Sequence, residues 1–288
     1  MFNFKVDYVT KHPTEGLSPK VSITGNIQKT FKVCFYDYDN NKLITSGYCN
    51  TNQTIIAKAH QWYTNWMIMI EDGDKMVFLD NFDCKNKTVF IKIDGYALGD
   101  NIAWIPYIDK FREEHKCNVI CSTFYNELFI ESYPKILFVK PNTEIHNVYA
   151  QYYVGVTNKE NKFYSPVNVD RVPLQKVASS ILGLKDEEIR PDLSKKYKTL
   201  NFSGKKYVTL SEFGSSNEKE WKAENGWQQV VDFINNKGYD VVVISKEPTN
   251  LKNVINLTGN IPLEKRAIDI RNARLHLGIS SGLSWLAW

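Results

Sequence analysis

The chain has 288 residues, 43% of them hydrophobic and 24% charged, with a formal net charge of +4; that length predicts two or three domains at about 100 to 200 residues each, and that composition excludes whole-chain disorder. The small net charge, without a dense basic stripe, argues against nucleic-acid binding and fits a site for an anionic small molecule. No apolar run approaches the roughly 18 to 20 residues that span a bilayer, and MFNFKVDYVTKHP lacks a signal-peptide core, so the expectation is a soluble cytoplasmic protein without membrane insertion.

Residues 1–17, rich in Lys, Pro and Thr, read as a flexible arm. Residues 18–88 carry short β signals: VSITG, then TFKVCFYDYDNNKLITSGY with Asp39-Asn40-Asn41 as its turn, then WYTNWMIMIEDGDKMVFLDNF with Asp72-Gly73 as a hairpin turn. They predict a small antiparallel β-rich domain whose aromatics form core and cross-strand pairs, with Trp62, Tyr63 and Trp66 also able to form a contact surface. Cys34, Cys49, Cys84, Cys117 and Cys121 lie at scattered spacings without a C-x-x-C pair, and His12, His60, His115, His146 and His276 form no ligand pattern. Reduced, partly buried thiols and no metal site are predicted.

From residue 89 the rhythm changes to strand and helix in alternation. VFIKID is a buried strand, and after Gly99 and Asp100 the spacing of Ile102, Ala103, Ile105 and Ile108 suits one helix face. NVICST, a helix over about 125–132 and the strand ILFVKP follow, and the stretch 164–199, with the helical PLQKVASSILGL, reads as a crossing between lobes. KYVTLSEF, GWQQVVDFINNKG, YDVVVIS, PLEKRAIDIRNA and RLHLGIS then repeat the alternation. The predicted class is α/β, with two Rossmann-like lobes over 89–200 and 201–288 behind the β-rich domain.

Three turns carry candidate chemistry. Gly99 and Asp100 sit where a strand meets a helix, at the end of a sheet where ligands bind, and the acid there is either a helix cap or a catalytic group. In RLHLGISSGLSWLAW, an apolar strand runs into Ser280, Ser281 and Gly282, with Leu283 and Ser284 opening a helix. That is a diphosphate cradle of free N–H groups and a positive dipole end, or equally an ordinary N-cap and turn. In LSEFGSSNEKEW, the Gly214-Ser215-Ser216 loop can donate hydrogen bonds and Lys219 can set a cation beside a phosphate; on composition alone Lys219, among Glu218, Glu220 and Lys222, is a solvated charge. P-loop, zinc-protease, α/β-hydrolase and dinucleotide fingerprints are missing.

Taken in order, ALGDNIAWIPY (97–107), NVICSTFYNELF (118–129), IRPDL (189–193), Lys219-x-Trp221 with NGWQQVVDF, and GISSGLSWLAW (278–288) resemble the bacterial autotransporter heptosyltransferases, which are similar to the lipopolysaccharide heptosyltransferases of the GT-B fold. The resemblance implies transfer of heptose from ADP-heptose to Ser or Thr hydroxyls of an autotransporter adhesin, inverting and without a catalytic divalent metal. On the matching positions Asp100 would be the general base, Lys219 would hold the diphosphate with Ser215 nearby, and the Ser281-Gly282-Leu283 backbone, flanked by Ser280 and Ser284, would bind the phosphates. It also implies a homo-oligomer and a four-cysteine iron site beyond Trp288, where family members continue; a C-terminal truncation of the second lobe is the matching expectation. The alternatives are a transferase of another nucleotide sugar and a non-catalytic sugar-nucleotide or adhesin-binding scaffold, since nothing in the sequence reads the sugar's hydroxyls.

Overall fold

The structure, a computed structural model, describes residues 1–10, 15–58, 62–93, 95–159, 162–193, 206–214 and 217–288. It divides into two compact units, one of Met1–Gly95, Trp104–Asn126 and Tyr133–Ile189, the other of Tyr96–Ala103, Glu127–Ser132 and Arg190–Trp288.

The first unit opens with β1 (Phe2–Val9), β2 (Ser18–Gly25), β3 (Thr30–Asp37), β4 (Lys42–Asn50), β5 (Gln53–Ile56), β6 (Trp66–Asp72), β7 (Lys75–Asn81) and β8 (Thr88–Ile93). The two predicted hairpins form as β3–β4 and β6–β7, with Asn41 at φ 47° and Gly73 at φ 61° supplying the left-handed backbone of their turns. Burial alternates along β6, where Trp66, Ile68 and Ile70 are inside, so the period of two fixes which face meets the core.

Residues 2–9 are not an arm. FNFKVDYV alternates Phe2, Phe4, Val6 and Tyr8, pairs antiparallel with β2 from Phe2↔Gly25 to Val9↔Ser18, and sets both Phe2 and Phe4 edge-on against Phe31 with centroids 5.0 and 5.3 Å away. That alternation outweighs the polar composition of the segment as a whole.

After β8 come α1 (Leu98–His115), whose first turn groups with the second unit, then β9 (Asn118–Thr123), the short α2 (Asn126–Phe129), β10 (Ile136–Val139), β11 (Ala150–Tyr153), β12 (Thr157–Lys159), β13 (Lys162–Tyr164) and α3 (Leu174–Leu182). Among the described residues the main sheet has the order β10-β9-β8-β11-β1-β2-β5, parallel from β10 to β1 and antiparallel beyond. The N-terminal strands β1, β2 and β5 therefore extend the sheet of the alternating region, while β4-β3-β6-β7 forms an antiparallel sheet of its own. Strand order reverses at β8, so the carboxyl end of that strand, which leads to Asp100, lies at a switch point of the sheet.

Buried Ile102, Ala103, Ile105 and Ile108 confirm the predicted face of α1, but Trp104, Tyr107 and Phe111 are buried too. Their polar tips are satisfied: Trp104 Nε1 donates to the Leu174 carbonyl at 2.9 Å and Tyr107 Oη to that of Glu187 at 2.6 Å. Burying such aromatics is favourable only with those partners. All five cysteines are free and buried.

The end of α3 depends on Gly183. It caps the helix in the left-handed region at φ 68°, and a Cβ there would stand 2.3 Å from Cε2 of Tyr63. Gly183→Ala should cost about 2 to 4 kcal/mol, the sum of a strained φ and an overpacked contact, read as a lower urea midpoint at unchanged slope.

Candidate functional site

The second unit continues with β14 (Tyr207–Ser211), α4 (Gly226–Asn236), β15 (Asp240–Val243), β16 (Ile255–Asn256), α5 (Leu263–Asn272), β17 (His276–Gly278) and α6 (Gly282–Ala287). Among the described residues its sheet is parallel throughout, in the order β16-β15-β14-β17. Buried Val208, Leu210, Val241 and Val243 join Val231 and Ile234 of α4 in its core. The chain steps from β14 through β15 to β16 in one direction and returns to the other side of β14 with β17. A ligand crevice is expected outside the carboxyl ends of β14 and β17.

The two loops leaving those strand ends touch. A Cβ on Gly214, after β14, would lie 3.0 Å from Cδ1 of Ile279 and 3.8 Å from the carbonyl oxygen of Ser280, after β17. The turn at Ser280 to Leu283 is in turn pressed against the first turn of α1. A Cβ on Gly282 would sit 2.9 Å from Cβ of Leu98, and one on Gly99 would sit 2.5 Å from Cδ1 of Trp285. Each helix start thus presents a glycine to a side chain of the other, an approach only glycine permits.

Asp100 is the residue after Gly99 in this packed first turn. The helix already begins at Leu98, so Asp100 stands within the first turn rather than at the cap. Burial pushes its carboxyl above the usual carboxylate range, and the cation of Lys219 pulls it back. The positive end of α1 acts in the same sense as Lys219.

Lys219 ends a short 3₁₀ turn, Asn217–Lys219, and is exposed. Its position is fixed two residues on, where Trp221 packs edge-on against Trp227 with centroids 5.0 Å apart and lies over Gly226, whose Cβ would meet Trp221 at 2.9 Å. The Lys-x-Trp spacing therefore ties the backbone of this turn to the start of α4. Ser215 lies outside the described residues.

At the other turn, Ser281 caps α6 with extended backbone, yet its Oγ is buried and has no hydrogen-bond partner among the described residues. Ser284 donates its hydroxyl proton to the Ile279 carbonyl at 2.6 Å, which braces the turn. Ser280 is exposed, and the N–H groups of Gly282 and Leu283 belong to the first turn of α6, where no intrahelical acceptor is available. Beyond them Trp285 stacks edge-on against Trp288, and Arg190 lies 5.1 Å from the Trp288 ring centroid. Pro191 to Leu193 and Trp285 to Trp288 are neighbours, lining one cavity of about 180 Å³ with Ala267 and Arg271.

Two polar groups escaped the sequence reading. His276 bridges Thr209 Oγ1 at 3.1 Å through Nδ1 and Ser211 Oγ at 3.4 Å through Nε2, tying β17 to β14 two residues before the turn. Gly278 completes the tie, since a Cβ there would collide with Ser211 Oγ at 2.2 Å. Burial lowers the His276 ring to a pKa of about 4, so it is neutral at pH 7 and can accept at one nitrogen while donating at the other. The second is Glu212, the buried residue that follows β14. Neither belongs to a sequence pattern; only non-local burial singles them out.

No family model matches the chain. It is 30% identical over 259 residues to the autotransporter heptosyltransferase Aah of Escherichia coli, covering 83% of this chain and 64% of Aah. It is 27% identical over 246 residues to the inactive autotransporter heptosyltransferase BimC of Burkholderia thailandensis, covering 81% of this chain and 58% of BimC. The fold matches that of the dodecameric, iron-containing heptosyltransferase TibC of enterotoxigenic E. coli in complex with ADP-D-beta-D-heptose, with a TM-score of 0.83 and 23% identity over 99% of this chain and 75% of that one. The chain spans less than two thirds of the length of the curated relatives it matches. Among the described residues no group of three His, Cys, Asp or Glu side chains is placed to hold a metal ion, so these residues do not fit the iron that TibC contains.

The His276 tie gives the second unit a pH signature. An unfolded His titrates near 6.5 and this one near 4, so the folded state binds fewer protons between those values. The contribution is fully present above about pH 6.5 and is lost as pH falls toward 4, by at most about 3 kcal/mol. Comparing urea midpoints of wild type and His276→Gln from pH 7.5 to 4 should show the gap between them shrinking over that window.

Proposed function

We propose, from its similarity to the autotransporter heptosyltransferases Aah and TibC, that the chain transfers heptose from ADP-heptose to Ser or Thr hydroxyls of an autotransporter adhesin, inverting at the anomeric carbon. The observation that supports the reading is the packing of Gly99 on Trp285 and Gly282 on Leu98, which sets the start of α1 against the start of α6 in the second unit, with Lys219 acting electrostatically on Asp100.

A Ser or Thr hydroxyl is a poor nucleophile at neutral pH. Asp100 is the base that takes its proton as the oxygen attacks the sugar carbon; a carboxyl raised by burial is a stronger base than a solvated one. The bond to ADP breaks in the same displacement, and negative charge grows on the departing diphosphate. Lys219 and the N–H groups of Gly282 and Leu283 meet that charge, preorganised by the Trp221 and Trp285 contacts. Ser281 Oγ, buried with no partner among the described residues, supplies a further donor to the phosphate. Ser280 and Ser284 complete the turn, Ser284 by bracing rather than by contact with ligand, and Ser215 is proposed as a further donor to the diphosphate.

In this reading the arrangement is GT-B, with residues 201–288 as the nucleotide-sugar lobe and 89–200 as the acceptor-side lobe. The chain works in the cytoplasm on the adhesin before export, as a homo-oligomer; TibC is a dodecamer. A non-catalytic scaffold is the second reading, favoured by the near-equal likeness to inactive BimC. Incubation with ADP-heptose and an adhesin fragment, followed by intact mass, separates the two: one heptose increment marks the enzyme, and donor binding without an increment marks the scaffold.

Asp100→Asn retains the shape of the turn but cannot accept the acceptor's proton. Transfer should fall by about 10² to 10⁴ while ADP affinity stays within a factor of a few, measured by product mass and by calorimetry. Equal rates would remove Asp100 from the chemistry.

Lys219→Ala should weaken ADP binding by about 10- to 150-fold, the worth of a charge-assisted contact. It should also move the acidic limb of the pH–rate profile upward, because without the cation Asp100 stays protonated to higher pH. A solvated Lys219 would leave both the dissociation constant and the profile unchanged.

A further inference from the structure

Glu212 follows the last residue of β14, the strand at the switch point of the second unit's sheet. It is only 7% exposed, and its Oε2 has no hydrogen-bond partner among the described residues. The rest of the residue is well held: its backbone N–H donates to Ser245 Oγ at 3.0 Å, and the Thr249 hydroxyl hydrogen-bonds its carboxylate. Burial raises its pKa above the usual glutamate range, with Thr249 opposing. A buried carboxylate with an idle oxygen is costly and calls for an explanation, and a ligand group that donates to it supplies one.

The position narrows what that ligand group is. An ionised carboxylate only accepts hydrogen bonds, and beside a diphosphate it would repel the phosphates themselves. The phosphate-facing groups, Gly214 and the Ser280 to Leu283 turn, lie toward β17, whereas Ser245 and Thr249 follow β15 on the opposite side of β14. A nucleotide with its diphosphate at the β14/β17 end therefore extends its nucleoside toward β15, and the first donors it presents there are the ribose hydroxyls.

We infer that Glu212 is a specificity residue for the nucleotide, its free carboxylate oxygen accepting a hydrogen bond from a ribose hydroxyl. The inference rests on the reading of the second unit as the nucleotide-binding one. It adds a residue that no sequence pattern singled out, and it assigns to the protein a preference for ribose over deoxyribose that is independent of which sugar is transferred.

The test is calorimetric titration of the 288-residue chain with ADP, GDP and UDP, then with the 2′-deoxy and 3′-deoxy forms of whichever binds most tightly. Wild type should lose about 10- to 150-fold in affinity on removal of one of the two hydroxyls, the worth of a bond to a charged acceptor. Glu212→Leu should bind ribose and deoxyribose forms equally. Glu212→Gln keeps the shape with a neutral acceptor, so its discrimination should shrink to about 2- to 12-fold, which keeps the test decisive should the Leu variant fail to fold. A wild type indifferent to both hydroxyls, or variants retaining its full discrimination at matched melting temperature, would overturn the assignment. Tightest binding of GDP or UDP would sink the ADP-heptose reading while leaving Glu212 to be judged on that nucleotide; binding of none would overturn both.

Discussion

The candidate site depends on two helix starts coming closer than side chains ordinarily allow. Gly99 lies under the Trp285 ring and Gly282 under Leu98, so the first turn of α1, which carries Asp100, is packed against the start of α6. Neither contact adds much stability by itself. Their effect is positional: with a Cβ at either glycine the turns must part by about an ångström, enough to disturb the proposed placing of a base and of phosphate-binding N–H groups.

Electrostatics then act on what packing has placed. Burial raises the Asp100 carboxyl above its usual range, and Lys219 with the positive end of α1 acts against that shift. The cation is itself on an exposed turn, and what holds it is aromatic: Trp221 against Trp227 and over Gly226. On the opposite side of the turn, neutral His276 and the small residue Gly278 hold β17 at a fixed distance from β14. Local geometry in the second unit is therefore set by close-packed glycines, three tryptophans and one uncharged histidine.

Features written in local residue chemistry were legible in the sequence. The hairpins followed from Asn41 and Gly73, and α3 from the spacing of Val177, Ala178, Ile181 and Leu182, all buried as an amphipathic helix requires. The turns at Asp100, Lys219 and Ser280 to Ser284 were legible as strand ends followed by helices, and their shared placement came from the family resemblance. What was missed is non-local. β11 is four residues, AQYY, with too short a pattern to notice, yet it pairs with both β8 and β1. β1 was hidden by the polar residues that follow it, and its value as a strand lies in β2 and Phe31. Glu212 and His276 look like any other acid and histidine until distant strands bury them.

In the proposed function a nucleoside diphosphate and the general base Asp100 meet at the Gly99–Trp285 contact. Backbone amide shifts recorded by NMR during an ADP titration test it most directly. The account predicts that Gly99, Asp100, Gly282 and Leu283 move together, saturating at one common dissociation constant. Shifts confined to other residues, with those four amides unmoved at saturating ADP, would contradict it.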